Sequence, residues 1–415
     1  MDRIFIGRIP IIGTDALTGP GLCFPIITLV SAFTLLVGMG GSPLFSIERG
    51  RQNNKRAALI LGNSFTLLII FGIALTIIGL VLRQPLLYLF GASAKTFMYA
   101  NTYLSIYLLG TVFVLLSLGL NYYINAQGFS ATGMITVAIG AVINMLLDPL
   151  FIYVFKMGVS GAALATIISQ TISCLWVLYF LTGKKTIIRL QRKNMKLQKL
   201  IVKKILALGT SGFVQQVTNS TVQVVCNITL ALWGGDLYIG VMTVINSVRE
   251  IIHLPVTGFS NGGQPVLSYN YGAKEYKRCI QTIKLMTLIT FIYTTVSWLI
   301  ISLYPSFFIH IFNAQKQLVQ AAIPALGAYF FGFCFMSSQF AGQSVFVGLG
   351  KSKQAIFFSI FRKVIIVVPL TILLPRIFGV MGVFYAEPIS NLIGGAACYI
   401  TMLMTVGKEL RQEKS

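Results

Sequence analysis

Few residues in this sequence could do chemistry. In NMLLDPLFIY (144–153), Asp148 follows Asn144 by four residues. On a helix that spacing stacks both on one face, so a carboxylate and an amide oxygen can converge on one cation. Thr166, in the next apolar run, could add a hydroxyl. An ionisable group in hydrocarbon is costly and usually functional. The competing reading is a cap at the membrane surface, since Pro149 follows Asp148. A second set lies in INSVREIIHLPVTGFSNGG (245–263). Glu250 stands about twelve residues into its apolar run, near bilayer mid-depth at about 1.5 Å per residue. Arg249 precedes it, and His253, three residues on, is placed to exchange a proton with it. An ion pair between helices is the other reading. Glu387, just before Pro388, is expected to be shallower. Arg249 and Lys284 are the expected cations inside the apolar runs, with Lys284 able to snorkel to the surface.

Other chemistries lack their residues. The two histidines, His253 and His310, cannot form an H-E-x-x-H metal helix, and neither a G-x-S-x-G elbow nor a phosphate-binding G-x-x-x-x-G-K-[ST] loop is present. No enzyme and no cofactor are expected. Energy from ATP would require a separate subunit, so an H⁺ or Na⁺ gradient is the simpler source.

The elements that must position these residues are apolar helices. Of 415 residues 56% are hydrophobic and 10% charged, far from the balance of a soluble domain. Residues 57–82, 157–183, 205–235 and 317–350 carry no charge, each long enough to cross a bilayer. Residues 96–147 are also uncharged, and Asn125–Ser130 at their centre is turn chemistry, which divides them into two spans. Eleven spans are predicted: 16–45, 57–82, 96–124, 131–155, 159–182, 205–233, 238–268, 279–304, 317–349, 355–375 and 380–406.

The net charge of +22 could point to nucleic acid, but its placement does not. Nine Lys or Arg lie in 184–204, four in 49–56, three in 274–278, four in 351–363 and three after Gly407. Such clustering in alternate connections places them on the cytoplasmic side of a plasma membrane. The basic, amphipathic 184–204 is expected to lie on anionic lipid as a linker; a partner-binding helix is the alternative. The six scattered cysteines read as free thiols.

The chain repeats itself. GGSPLFSIERGRQNNKR (40–56) returns 222 residues later as GGQPVLSYNYGAKEYKR (262–278), Gly110 answers Gly332, and Gly128 answers Gly350. Six spans in the second copy return it to its starting side. The fold expected is therefore all-α and membrane-integral, with two parallel-repeat six-helix bundles related by a pseudo-two-fold along the membrane normal. Eleven of twelve spans are present, because the first copy lacks most of its opening helix; a truncated start at Met1 is expected. The implied organisation is an N-terminal bundle (1–183), a cytoplasmic linker (184–204), a C-terminal bundle (205–406) and a cytoplasmic tail (407–415). Gly40, Gly41 and Pro43, and again Gly262, Gly263 and Pro265, could loosen their helices as hinges, or could merely terminate them.

These residues resemble the multidrug and toxic compound extrusion (MATE) family. The resemblance rests on GGQPVLSYNYGAK (262–274), NMLLDPLFIYVFKMGVSGAALATIISQ (144–170) and DRIFIGR (2–8), and extends over essentially the whole chain. It implies twelve helices in two lobes and export of amphipathic, often cationic compounds against inward H⁺ or Na⁺. It also implies a first-lobe cation site, Na⁺ possibly included, at Asp2, Asn144, Asp148 and Thr166. The family's second-lobe acids are replaced here by Gln215 or Gln216 and by Ser337 or Ser338, which leaves Glu250 as the buried candidate. The partners implied are small amphipathic substrates and membrane lipid, with no nucleic acid, and a monomer is expected. Two alternatives stand: a lipid-linked precursor flippase, which would need a more cationic groove than Arg249 and Lys284 provide, and a non-transporting truncated descendant.

Overall fold

The computed structural model describes residues 13–90, 94–312 and 316–412. They are helical nearly throughout, with no strand among them, as expected of a backbone that must satisfy its own polar groups in lipid. The chain divides into two compact units, one ending at Gly209 and the other beginning at Thr210, with Arg49–Gln52 belonging to the second.

The first unit contains α1 (Gly13–Gly50), α2 (Asn54–Leu89), α3 (Ala94–Leu109), α4 (Thr111–Ala126), α5 (Ser130–Pro149) and α6 (Gly158–Thr182). A π-helical turn, Leu150–Val154, follows α5. The long α7 (Lys199–Gly272) begins in this unit and is broken at Gly235, whose φ is 64°. The second unit continues with α8 (Tyr276–Leu303), α9 (Pro305–Phe312), α10 (Lys316–Phe330), α11 (Met336–Gly348) and α12 (Ser352–Ile360). A π-helical stretch, Phe361–Val367, leads into α13 (Val368–Leu373). After α14 (Pro375–Phe378), α15 (Met381–Met402) runs through a further wide turn into α16 (Lys408–Gln412). Residues 407–412, expected as a tail, are thus helix, and Glu409 there accepts from Tyr271 Oη at 2.9 Å and pairs with Lys351.

Among the described residues, eight helices are long and apolar enough to cross a membrane, or ten if each of two bent pairs is one span. The predicted span at 205–233 is helical but is not among them; Gln215, Gln216, Asn219, Gln223 and Asn227 dilute its apolar character. On α2, Ile70, Ile73, Ile77 and Val81 form an exposed stripe at helical spacing, the surface a lipid-facing helix presents. Leu61, Leu68, Leu104, Leu115 and Tyr123 centre the core of the first unit, and Phe330, Phe333 and Phe384 that of the second.

The duplication is visible in the backbone. Positive φ recurs at Gln52 and Lys274, at Gly128 and Gly350, and at Gly158 and Gly379, positions that correspond in the sequence repeat. Gly128 and Gly350, at 92° and 73°, turn the chain between helices where a Cβ would strain it. Gly110 lies at the 56° bend between α3 and α4, and Gly332 falls in the break of the 43° bend between α10 and α11.

Neither Gly-Gly-x-Pro stretch terminates its helix. Helices α1 and α7 run unbroken through both Gly-Gly-x-Pro stretches. What the glycines permit is close packing: a Cβ on Gly40 would overlap the Ile205 carbonyl, one on Gly41 the Tyr123 hydroxyl, and one on Gly263 would come within 2.5 Å of the Met286 sulfur, whereas Gly262 faces open space. Through 183–198 the basic linker runs as a strap pinned to the first unit. Asn63 Nδ2 donates to the Asn194 and Lys196 carbonyls at 3.4 and 3.2 Å, and Asn63 Oδ1 accepts from Gln198 N at 2.7 Å. Gln127 Oε1 accepts from both Thr186 Oγ1 and Ile188 N at 2.8 Å.

Candidate ion-coupling site

The hairpin of α5 and α6 builds the first-unit site. Asn144 and Asp148 are one turn apart on α5, and the turn into α6, with positive φ at Lys156 and Gly158, returns Thr166 to their level. Asn144 Nδ2 donates to Asp148 Oδ1 at 3.3 Å and to Thr166 Oγ1 at 3.4 Å. Asp148 is fully buried, with 0% exposure, while Asn144 and Thr166 are half-buried. The carboxylate therefore does not cap a helix in open water. One turn beyond Thr166, Gln170 accepts from Ser117 Oγ at 2.8 Å, tying α6 to α4. Asp2 lies outside the described residues.

The arrangement favours a monovalent cation or a proton as its ligand. It offers one carboxylate, one amide and one hydroxyl, and among the described residues no group of three His, Cys, Asp or Glu converges as a transition metal would prefer. Asn144 presents its NH₂ to both neighbours here; half a turn of the amide would present its oxygen instead, giving three oxygens of different residues to one ion.

The second-unit candidates are arranged differently from the prediction. Glu250 is exposed rather than buried. His253 shares a hydrogen bond of 3.1 Å with Thr257 Oγ1 and meets the Phe340 ring edge-on, so its contacts are structural ones within its own unit. Glu387, expected to be shallow, is 7% exposed and accepts from Arg362 and, at 3.2 and 3.4 Å, from Lys363. The expectation that Arg249 and Lys284 are the intraspan cations is therefore wrong: Arg362 and Lys363 lie inside the span Ser352–Phe378, each 8% exposed. They were grouped with Lys351 and Lys353 as a basic connection because all four fall in thirteen residues. The uncharged stretch from Gln354 to Phe361 separates the two pairs by two helical turns and could have revealed the difference. Lys284 is exposed, as snorkelling requires, and Arg249 is half-buried. Gln215 and Gln216 are half-buried and Ser337 is buried, with its hydroxyl on the Cys334 carbonyl at 2.6 Å.

Comparison with known proteins agrees with this architecture. The MatE family profile matches residues 1–150 and 213–373. The multidrug export protein MepA of Staphylococcus haemolyticus is 24% identical over 372 residues, covering 90% of this chain and 82% of its own. An FAD transporter of Shewanella oneidensis is 23% identical over 411 residues, covering 96% and 88%. A MATE crystal structure in a bent conformation superposes with a TM-score of 0.93 at 22% identity, covering 100% of this chain and 92% of its own. With its family profile matched across both halves and its helices following the same fold, this multi-pass membrane protein belongs to the MatE family of transporters.

Proposed function

We propose that this protein is a secondary active exporter of the plasma membrane, exchanging inward H⁺ or Na⁺ for amphipathic, often cationic, organic compounds. The observation that carries the reading is Asp148: a fully buried carboxylate inside a span, with the amide of Asn144 and the hydroxyl of Thr166 at its side. Such a charge is costly in hydrocarbon and is tolerated where a mobile cation neutralises it during the cycle. Cation binding at Asp148 in one state and substrate binding in another couple the two flows, since a ligand shifts a conformational equilibrium only by its differential affinity. Asn144 and Thr166 complete the site, Asp2 is a further candidate ligand, and the basic connections face the cytoplasm. The multidrug export protein among the relatives supports the substrate class.

The flippase reading gains two intraspan cations from Arg362 and Lys363, but each is 8% exposed and bonded to Glu387 rather than lining a groove open to lipid. The test is transport by purified protein in liposomes loaded with a fluorescent amphipathic cation, under an imposed Na⁺ or pH gradient. Asp148→Asn should insert normally and lose gradient-driven dye movement; movement unchanged from wild type would reject the assignment.

A further inference from the structure

The second unit encloses more positive than negative charge. Arg362 and Lys363, on the π-helical stretch of 361–367, and Glu387, on α15, are each less than a tenth exposed. Both cations bond to Glu387, which offers them a single negative charge. Arg249, on α7, lines the same cavity as Lys363 and Glu387. With each group ionised, Arg249, Arg362 and Lys363 face Glu387 and, beside Arg249, the exposed Glu250; three cations meet two anions, and an uncompensated ion held away from water costs several kcal/mol. Among the described residues lining this cavity, Glu387 is the only acid. Other polar groups on its wall can donate: Tyr329 and Thr371 bring hydroxyls, Cys226 a thiol, and Asn219, Gln223 and Asn246 amides. One Asn246 N–H is given to Gln223 Oε1 at 3.0 Å.

The free space of about 30 Å³ exceeds the roughly 10–15 Å³ needed for one water and suits a single compact ion. We propose that the second unit binds a small monovalent anion of chloride's size in the cavity bounded by Arg249, Lys363 and Glu387. The ion offsets the surplus of fixed positive charge and accepts hydrogen bonds from the donor-rich wall.

The experiment measures the unfolding temperature of the full chain, purified in detergent, as sodium gluconate is replaced stepwise by sodium chloride at constant ionic strength. A ligand that binds the folded state alone raises this temperature with its concentration. The expected result is a saturable rise with chloride that Arg249→Gln abolishes. Glu387→Gln should act in the opposite direction: the chain melts earlier in gluconate, yet gains more from chloride and reaches half-saturation at a severalfold lower concentration. A purely structural ion pair predicts no such sign reversal. Lys363→Gln, read in the same titration, should lose the rise as Arg249→Gln does. Equal unfolding temperatures of the wild type in gluconate and chloride would overturn the proposal. So would a full chloride response in Arg249→Gln, or a Glu387→Gln response no larger than that of the wild type.

Discussion

In the first unit the intraspan carboxylate Asp148, fully buried, has an amide and a hydroxyl beside it; in the second, the buried carboxylate Glu387 is bonded to Arg362 and Lys363. Both units descend from one repeated sequence, and their turns keep the same positive-φ positions, so the divergence lies in the side chains rather than in the scaffold. Fixed cations cancel the charge of Glu387 in advance, which removes most of what an arriving H⁺ or Na⁺ would gain there. The Asn144 amide and Thr166 hydroxyl beside Asp148 carry no charge and do not cancel it in this way. On the proposed function, coupling falls to the first unit, while Glu387 ties α15 to the π-helical stretch through Arg362 and Lys363.

The largest expected effect separates these roles. Asp148→Asn should eliminate gradient-driven transport, while the unfolding temperature, read on the same preparation, stays close to that of the wild type. Glu387→Ala should do the reverse at first: by leaving buried cations uncompensated it should cost about 3–5 kcal/mol of stability, measured by thermal unfolding in a chloride-free buffer. A transport defect without loss of stability in Glu387→Ala would break the comparison. The two glycine motifs differ in the same sense. Gly40→Val forces a side chain against the backbone of 205–209 and should cost about 1–3 kcal/mol. Thr166→Val, which removes one oxygen from the first-unit site, should weaken cation binding by about 1 kcal/mol, visible as a severalfold higher Na⁺ or H⁺ requirement for transport. The smallest effect is expected at Gly262, which faces open space within a helix. Gly262→Ala should stabilise by about 0.8 kcal/mol; a strong loss of transport there without loss of stability would instead point to bending at that residue.

Much of this was legible in the sequence because the relevant signals are local. Asn144 and Asp148 are four apart, and Thr166 returns across one short turn, so helical periodicity alone brings them together. Uncharged runs delimited most spans, and the 222-residue repeat anticipated matching turns at Gly128 and Gly350. The Glu387 cluster was hidden because Arg362 and Lys363 are adjacent to each other and near Lys351 and Lys353, which is how basic flanks of a span read. The burial of Glu250 was misjudged because distance along a helix does not fix which face a residue occupies. The pinning of the strap at 183–198 was not legible because its charges dominate its composition. Its attachment depends on Asn63, Thr66 and Gln127, which precede it by more than fifty residues and carry no sequence signal of their own.

The π-helical stretch at Phe361–Val367 is, in register terms, a helix with one residue to spare. Removing a single amino acid there would let the backbone close into ordinary α-helix with its hydrogen bonds intact and the helix on either side kept in register, while the side chains inside the stretch are re-aimed. Arg362 and Lys363 could then no longer both reach one carboxylate. A chain shortened by one residue at this place would keep its span and lose its charge cluster, an outcome that exchanging side chains cannot imitate.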